Sequence, residues 1–139
     1  VIVEQRSSNK ADNYFIGGNA AGTNVNLYFG YQTDTSIIHS QLNNSYTAVT
    51  ASYVSPKPLI HVFTHSSASG KKYYQNGVSL GSLVEKTPLL SYAGSAIGRF
   101  NSYFYQGDIG EIIIFERVLT DKERKDVESY LGKKWEINI

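Results

Sequence analysis

Four groups of residues in this 139-residue chain have types and spacings that could do chemistry. The first is the carboxylate pair Asp108 and Glu111. A glycosidase flanks its bond with two carboxyl groups about 5–10 Å apart. Residues three apart on a regular strand point to opposite faces, so this pair converges only if a bulge at Gly107 or Gly110 realigns it. The second group is His39, His61 and His65. His61 and His65 share a strand face but lie ~13 Å apart along it, too far for one ion whose ligands sit at about 2 Å. The third is Gly77-Val78-Ser79-Leu80-Gly81, a glycine-x-serine-x-glycine pattern. A nucleophile elbow needs a strand, a sharp turn and a helix; here the pattern leaves an Asn-Gly turn and enters a strand.

The fourth group suits recognition. Tyr92, Arg99, Asn101, Tyr103 and Tyr105 gather around one loop region, and Asn43, Asn44 and Tyr46 form a second loop of the same character. A sugar site needs aromatic rings for the apolar sugar face and polar groups for the hydroxyls, and tyrosine supplies both. The ligand contacts expected here are Tyr92, Arg99, Asn101, Tyr103, Tyr105 and Asn44. Asp34, in Gln32-Thr33-Asp34-Thr35, and Asp108, beside Gly107, are the candidate metal ligands. The ion they suit is calcium, which takes several oxygens, many from backbone. Asn43-Asn44-Ser45 also reads as an N-glycosylation sequon for a secreted protein.

Composition bounds the rest. At 15.4 kDa, 41% hydrophobic and 18% charged, the chain is globular and long enough to bury a sizeable core. A net charge of +1 offers no electrostatic footprint for nucleic acid. No apolar run approaches the roughly 20 residues of a helical membrane span. Zero Cys excludes disulfide scaffolds, thiolate zinc sites and a cysteine nucleophile. Charge is unevenly placed: Asp34 alone is charged between Asn13 and Pro56, whereas residues 116–136 hold 12 charged residues, six of each sign.

The elements that must position these groups are mostly strands. Val1–Gln5, Tyr14–Gly17, Asn24–Tyr31, Ser36–Leu42, Tyr46–Ser52, Leu59–Ser66 and Ser95–Gly98 read as strands, several with period-two alternation. Lys71–Gln75 and Val78–Leu83 flank Asn76-Gly77, the signature of a type I′ hairpin. Phe104–Phe115 reads as the longest strand, and the apolar run Ile112–Phe115 predicts a central position buried on both faces. Thr120-Asp121-Lys122-Glu123 is a capping box. Val127, Tyr130, Leu131 and Trp135 follow at helical spacing, with the charged residues predicted on the solvated side.

Several of these segments resemble a known family. Lys72-Tyr73-Tyr74-Gln75-Asn76-Gly77-Val78 resembles the lysine-x-tyrosine-x-asparagine-glycine hairpin of laminin-G-like, concanavalin A-like domains. Ala96-Ile97-Gly98-Arg99 and Tyr105-Gln106-Gly107-Asp108-Ile109-Gly110-Glu111-Ile112 are similar to the late strands of that group. Glu116 through Arg124, continuing to Tyr130-Leu131 and Lys134-Trp135, resembles the C-terminal helix of its bacterial and viral branch. The resemblance spans residues 14–135. It implies an all-β, antiparallel two-sheet jelly-roll sandwich with one C-terminal α-helix. It also implies a single domain over 1–139 that is a fragment, with its opening strand or strands upstream of Val1.

Members of that group are most often non-catalytic modules of large surface or secreted proteins. Many bind glycans or proteins, some bind calcium, and others are glycoside hydrolases. The hydrolases carry glutamate-x-aspartate-x-glutamate on one strand, and this chain has no such run. The expectation is therefore a non-catalytic, lectin-like carbohydrate-recognition module. It would belong to a larger polypeptide that is extracellular, at the cell surface or in a virion, with no nucleic-acid partner and no membrane insertion. The alternative is a structural or assembly domain of a capsid, fibre or adhesin that contacts another protein chain.

Overall fold

The computed structural model describes residues 1–18, 27–41, 44–49, 55, 57–84 and 95–139, with only the backbone described at 40–41 and 44–49. Its strands are β1 (Ile2–Arg6), β2 (Asn13–Gly18), β3 (Leu27–Thr33), β4 (Ser36–Gln41), β5 (Asn44–Val49), β6 (Leu59–Ser66), β7 (Gly70–Gln75) and β8 (Val78–Leu83). They continue with β9 (Ser95–Ile97), β10 (Arg99–Phe100), β11 (Tyr103–Phe104) and β12 (Gly107–Ile112), and the helix α1 (Asp121–Trp135) follows. The fold class is all-β, with antiparallel sheets and one C-terminal helix, as the strand-rich sequence predicts. The chain forms two compact units, each built on one five-stranded sheet.

The first unit comprises Val1–Gln5, Ser55–Thr87 and Asp108–Ile139. Its sheet runs β12-β1-β6-β7-β8. At the β7–β8 turn both Asn76 and Gly77 have positive φ, 47° and 80°, as the Asn-Gly pair predicts for a type I′ hairpin. Asn76 also locks the turn to β6. Its Oδ1 accepts the Ile60 N–H at 2.8 Å, and its own N–H donates to the Ile60 carbonyl at 2.9 Å. Alternation splits this sheet into unlike faces. Val3, Ile60, Val62 and Tyr74 pack with Leu131 and Ile137 into an apolar core closed by the helix. On the other face Glu4, His61 and Tyr73 are all but fully buried. His61 Nε2 lies 2.6 Å from the Glu4 carboxylate and Nδ1 lies 2.7 Å from the Tyr73 hydroxyl. A buried charge needs such partners. The two partners come from β1 and β7, so this carboxylate–imidazole–phenol chain was invisible to local sequence pattern.

The helix starts where the sequence predicts. The Thr120 hydroxyl accepts the Glu123 N–H at 3.2 Å, and the Glu123 carboxylate accepts the Thr120 N–H at 2.8 Å. Its buried face differs from expectation. Leu131 is buried, but Tyr130 is 57% exposed and the charged pair Arg124 and Glu128 is buried. The reason is the neighbouring hairpin. The Arg124 guanidinium lies 4.0 Å over the Tyr74 ring and donates to Glu128, while Glu128 accepts the Gly77 N–H at 3.2 Å. Burial lifts the Glu128 carboxyl above its ordinary range in spite of Arg124.

The expected central strand over Phe104–Phe115 is corrected. It divides into the short β11 and the separate β12, and β12 lies at the edge of its sheet beside β1. Val1 and Ile113 exchange backbone hydrogen bonds at 2.7 and 2.9 Å. The apolar run then leaves the sheet, and Ile114 is 83% exposed. A continuous apolar run does not by itself fix a strand's neighbours, and among the described residues only one side of β12 is paired.

The second unit comprises Arg6–Val54 and Pro88–Gly107. Its sheet runs β5-β4-β3-β2-β9. The two-strand ribbon β10–β11 lies against one face of that sheet. There Tyr14, Ile38 and Phe100 form a core with Tyr28 packed on it. Gly17 permits this approach of the ribbon, and Gly30 leaves room for Tyr14 on the paired strand β2. A Cβ at Gly17 would stand 2.5 Å from the Phe100 Cβ, and one at Gly30 would stand 2.4 Å from the Tyr14 Cα.

Candidate functional site

The loop region that the sequence marks for recognition is this ribbon. Arg99 pairs with Phe104 and Phe100 pairs with Tyr103, so Asn101 and Ser102 form a two-residue connection. Asn101 takes φ 53°, a left-handed conformation that Asn tolerates better than most residues. Gly98, at φ 75°, turns the chain out of β9. Its N–H donates to the Phe15 carbonyl at 2.6 Å, and its carbonyl accepts the Tyr105 N–H at 2.8 Å. These bonds close the base of the ribbon on β2.

A second clamp holds its exit. Asn13 is fully buried, and its Oδ1 accepts the Gln106 N–H at 2.6 Å. The Gln106 carbonyl accepts from the Ser7 N–H at 3.0 Å and lies 3.5 Å from Asn13 Nδ2. The Gln106 side chain lies 2.7 Å from the Ser8 hydroxyl. The ribbon is therefore pinned at both ends by groups outside it.

Directly opposed residues of an antiparallel pair share a face. Phe100 and Tyr103 share the face toward the sheet. Phe100 stacks on Tyr28, with ring centroids 4.2 Å apart, and meets Tyr14 edge-on at 5.4 Å. Tyr103 also meets Tyr14 edge-on, at 6.2 Å, yet remains 41% exposed at the rim. Arg99 and Phe104 share the outward face. Arg99 is exposed and Phe104 is 58% exposed. Beneath them, the Tyr14 hydroxyl donates to the Asp12 carboxylate at 2.7 Å. Burial and that carboxylate raise the Tyr14 phenol well above its usual range, so it remains a neutral donor.

The expected contacts are thus distributed as follows. Arg99, Asn101 and Tyr103 come together at the surface of one ribbon. Tyr105 is half-buried, and its ring packs edge-on against Phe15 at 5.3 Å. Asn44 begins β5 opposite Gln41, and its side chain lies outside the description, as do Tyr92 and Asn43. Phe104 was missed because the sequence reading placed it inside a long strand. Recognising Asn101-Ser102 as a two-residue turn would have exposed its pairing with Arg99.

The two aspartates expected to bind a metal stand in different units. Asp34 lies beside Arg6, which is buried: the guanidinium donates to the Asp34 carbonyl at 3.0 Å and approaches its carboxylate at 3.7 Å. Asp108 is exposed on β12. Among the described residues no group of three or more His, Asp and Glu gathers to hold an ion. Glu111, the other half of the carboxylate pair, accepts from Lys134 Nζ at 2.9 Å and from Trp135 Nε1 at 3.1 Å. Those two donors hold its carboxyl below the ordinary range. No helix among the described residues is long and apolar enough to cross a membrane.

Two antiparallel five-stranded sheets and one C-terminal helix define an all-β module. The sequence model of the concanavalin A-like lectin/glucanase superfamily, in its laminin G-like form, matches residues 3–123, and the chain belongs to that family. No curated protein matches it. Membership makes the chain a carbohydrate- or protein-binding module of a generally non-catalytic, lectin-type family.

Three of the segments that carried the resemblance, the hairpin, β12 and the helix, meet one another in the first unit. Tyr74 and Gly77 of the hairpin hold Arg124 and Glu128 of the helix. Gly110 and Glu111 of β12 hold Trp135 and Lys134 at its far end. They dock the helix. The resemblance segment Ala96–Arg99 belongs to the second unit, and its Arg99 forms part of the aromatic and guanidinium surface described above.

Proposed function

We propose that this chain is a non-catalytic carbohydrate-recognition module whose contact surface is the Arg99–Phe104 ribbon. The observation that carries the reading is the outward pair Arg99 and Phe104 on a ribbon clamped at both ends. A sugar needs an accessible aromatic ring beside hydrogen-bonding groups, held rigid so that little entropy is lost on binding. Arg99, Asn101 and the Tyr103 hydroxyl supply the polar rim. In the same proposal the module belongs to a larger extracellular, cell-surface or virion protein, where glycans are displayed. Affinity per site is weak and is raised by multivalent display.

The test is a glycan array probed with the folded domain in multivalent form, with calcium and with EDTA. Saturable binding that Phe104→Ala abolishes, with unchanged thermal unfolding, supports the reading. Loss in EDTA adds calcium to the site. No binding by folded, multivalent protein overturns it.

A second reading, an assembly domain that contacts protein, has its own support. The segment after the edge strand β12 exposes Ile114 at 83% and Phe115 at 40%, and large exposed apolar groups mark interaction surfaces when they are contiguous. Partner capture that Ile114→Ser abolishes, in a protein that binds no glycan, would establish it.

A further inference from the structure

Resting on the glycan reading above, we infer that the sugar seated on the ribbon carries a carboxylate, and that Arg99 is the residue selecting it. Three features point there. Arg99 is exposed and has no acidic partner among the described residues. Within its unit the charged residues are Arg6, Lys10, Asp12, Asp34 and Arg99, and Asp34 is held by the buried Arg6. The carboxylate beneath the ribbon, Asp12, accepts from the Tyr14 hydroxyl, and the exposed Arg99 guanidinium forms no ion pair among the described residues.

The second feature is its place in the ribbon. Arg99 lies directly opposite Phe104, and opposed Cβ atoms on one face are about 5 Å apart. One pyranose ring can cover Phe104 while a carboxylate on that ring reaches the guanidinium. The third is number. Residues 95–107 contain no other Lys or Arg. A polysulfated chain draws its affinity from a cluster of cations. A lone guanidinium instead matches a single planar carboxylate through two parallel N–H···O bonds.

The experiment compares an oligosaccharide containing glucuronic acid with its carboxyl-reduced, neutral form on the 139-residue protein, by titration. Wild type is expected to bind the acid about tenfold tighter or better, the worth of a charge-assisted contact. Arg99→Ala is expected to bind both forms equally. Arg99→Lys should lose most of the preference, because an ammonium keeps the charge but not the fork.

Equal binding of both forms by wild type, still lost in Phe104→Ala, overturns this inference and leaves the glycan reading standing. An acid preference that persists in Arg99→Ala places the carboxylate elsewhere and also overturns it. Equal or tighter binding of a sulfated, carboxylate-free glycan overturns the choice of carboxylate. Absence of binding to any glycan removes both readings together.

Discussion

The indole N–H of Trp135 donates to the Glu111 carboxylate at 3.1 Å, across 24 residues of chain, and the same ring lies over Gly110. A Cβ at Gly110 would stand 2.7 Å from the ring's Cη2. Glycine is therefore required at this position by the approach of the helix, and the hydrogen bond to Glu111 fixes the ring's orientation.

Gly110→Ala is expected to displace Trp135 and to cost about 1–3 kcal/mol, the usual penalty of overpacking. Trp135 is the single tryptophan of the chain, so a red-shifted emission maximum reports it directly. Denaturant unfolding measures the loss. An unchanged emission spectrum with wild-type stability would contradict the packing described.

Arg124 and Glu128 form a buried pair beneath the helix, with side chains 7% and 1% exposed. Removing one member leaves the other charged and buried. Arg124→Ala or Glu128→Ala is expected to cost about 3–5 kcal/mol. The double variant Arg124→Met, Glu128→Leu should recover much of it, because apolar groups replace both charges. Chemical denaturation of the three variants checks this.

Glu123 gives a pH prediction. Hydrogen bonds from Arg117, then from the Thr120 backbone and hydroxyl, lower its carboxyl from 4.5 to about 2. A depressed carboxyl contributes stability that is complete above its unfolded value and is lost as pH falls through the folded one. The window thus runs from 4.5 down to about 2. An NMR titration of Glu123 should show that low midpoint, and Arg117→Ala should raise it. Glu123→Gln should flatten the stability profile within the window.

Asn13 positions the ribbon from beneath. Asn13→Ala removes its bond to Gln106 and leaves the part-buried Gln106 N–H without that acceptor. A loss of about 1–3 kcal/mol is expected. Hydrogen exchange should accelerate at the Gln106 amide, and protection of the helix Asp121–Trp135 should persist relative to the loss of global stability. Uniform loss of protection would show that Asn13 serves the whole fold rather than the ribbon.

Local signals in the chain determined much of its architecture. Period-two alternation placed β6 at its observed bounds, Asn76-Gly77 dictated the type I′ turn, and the Thr120–Glu123 box started the helix. Each depends on residues within a few positions of one another, so sequence suffices. The family was legible too, because Tyr74, Gly77, Gly110, Arg124 and Trp135 are residues that helix docking requires. Tertiary structure alone decided the rest. It put β12 at an edge, buried Arg124 and Glu128 against the hairpin, joined Glu4 and Tyr73 through His61, and turned Tyr105 inward onto Phe15. It also set Phe104 beside Arg99 on the outward face. A side chain's burial and neighbours are fixed by which strand pairs with which, and that pairing joins residues too distant in the chain for local periodicity to record.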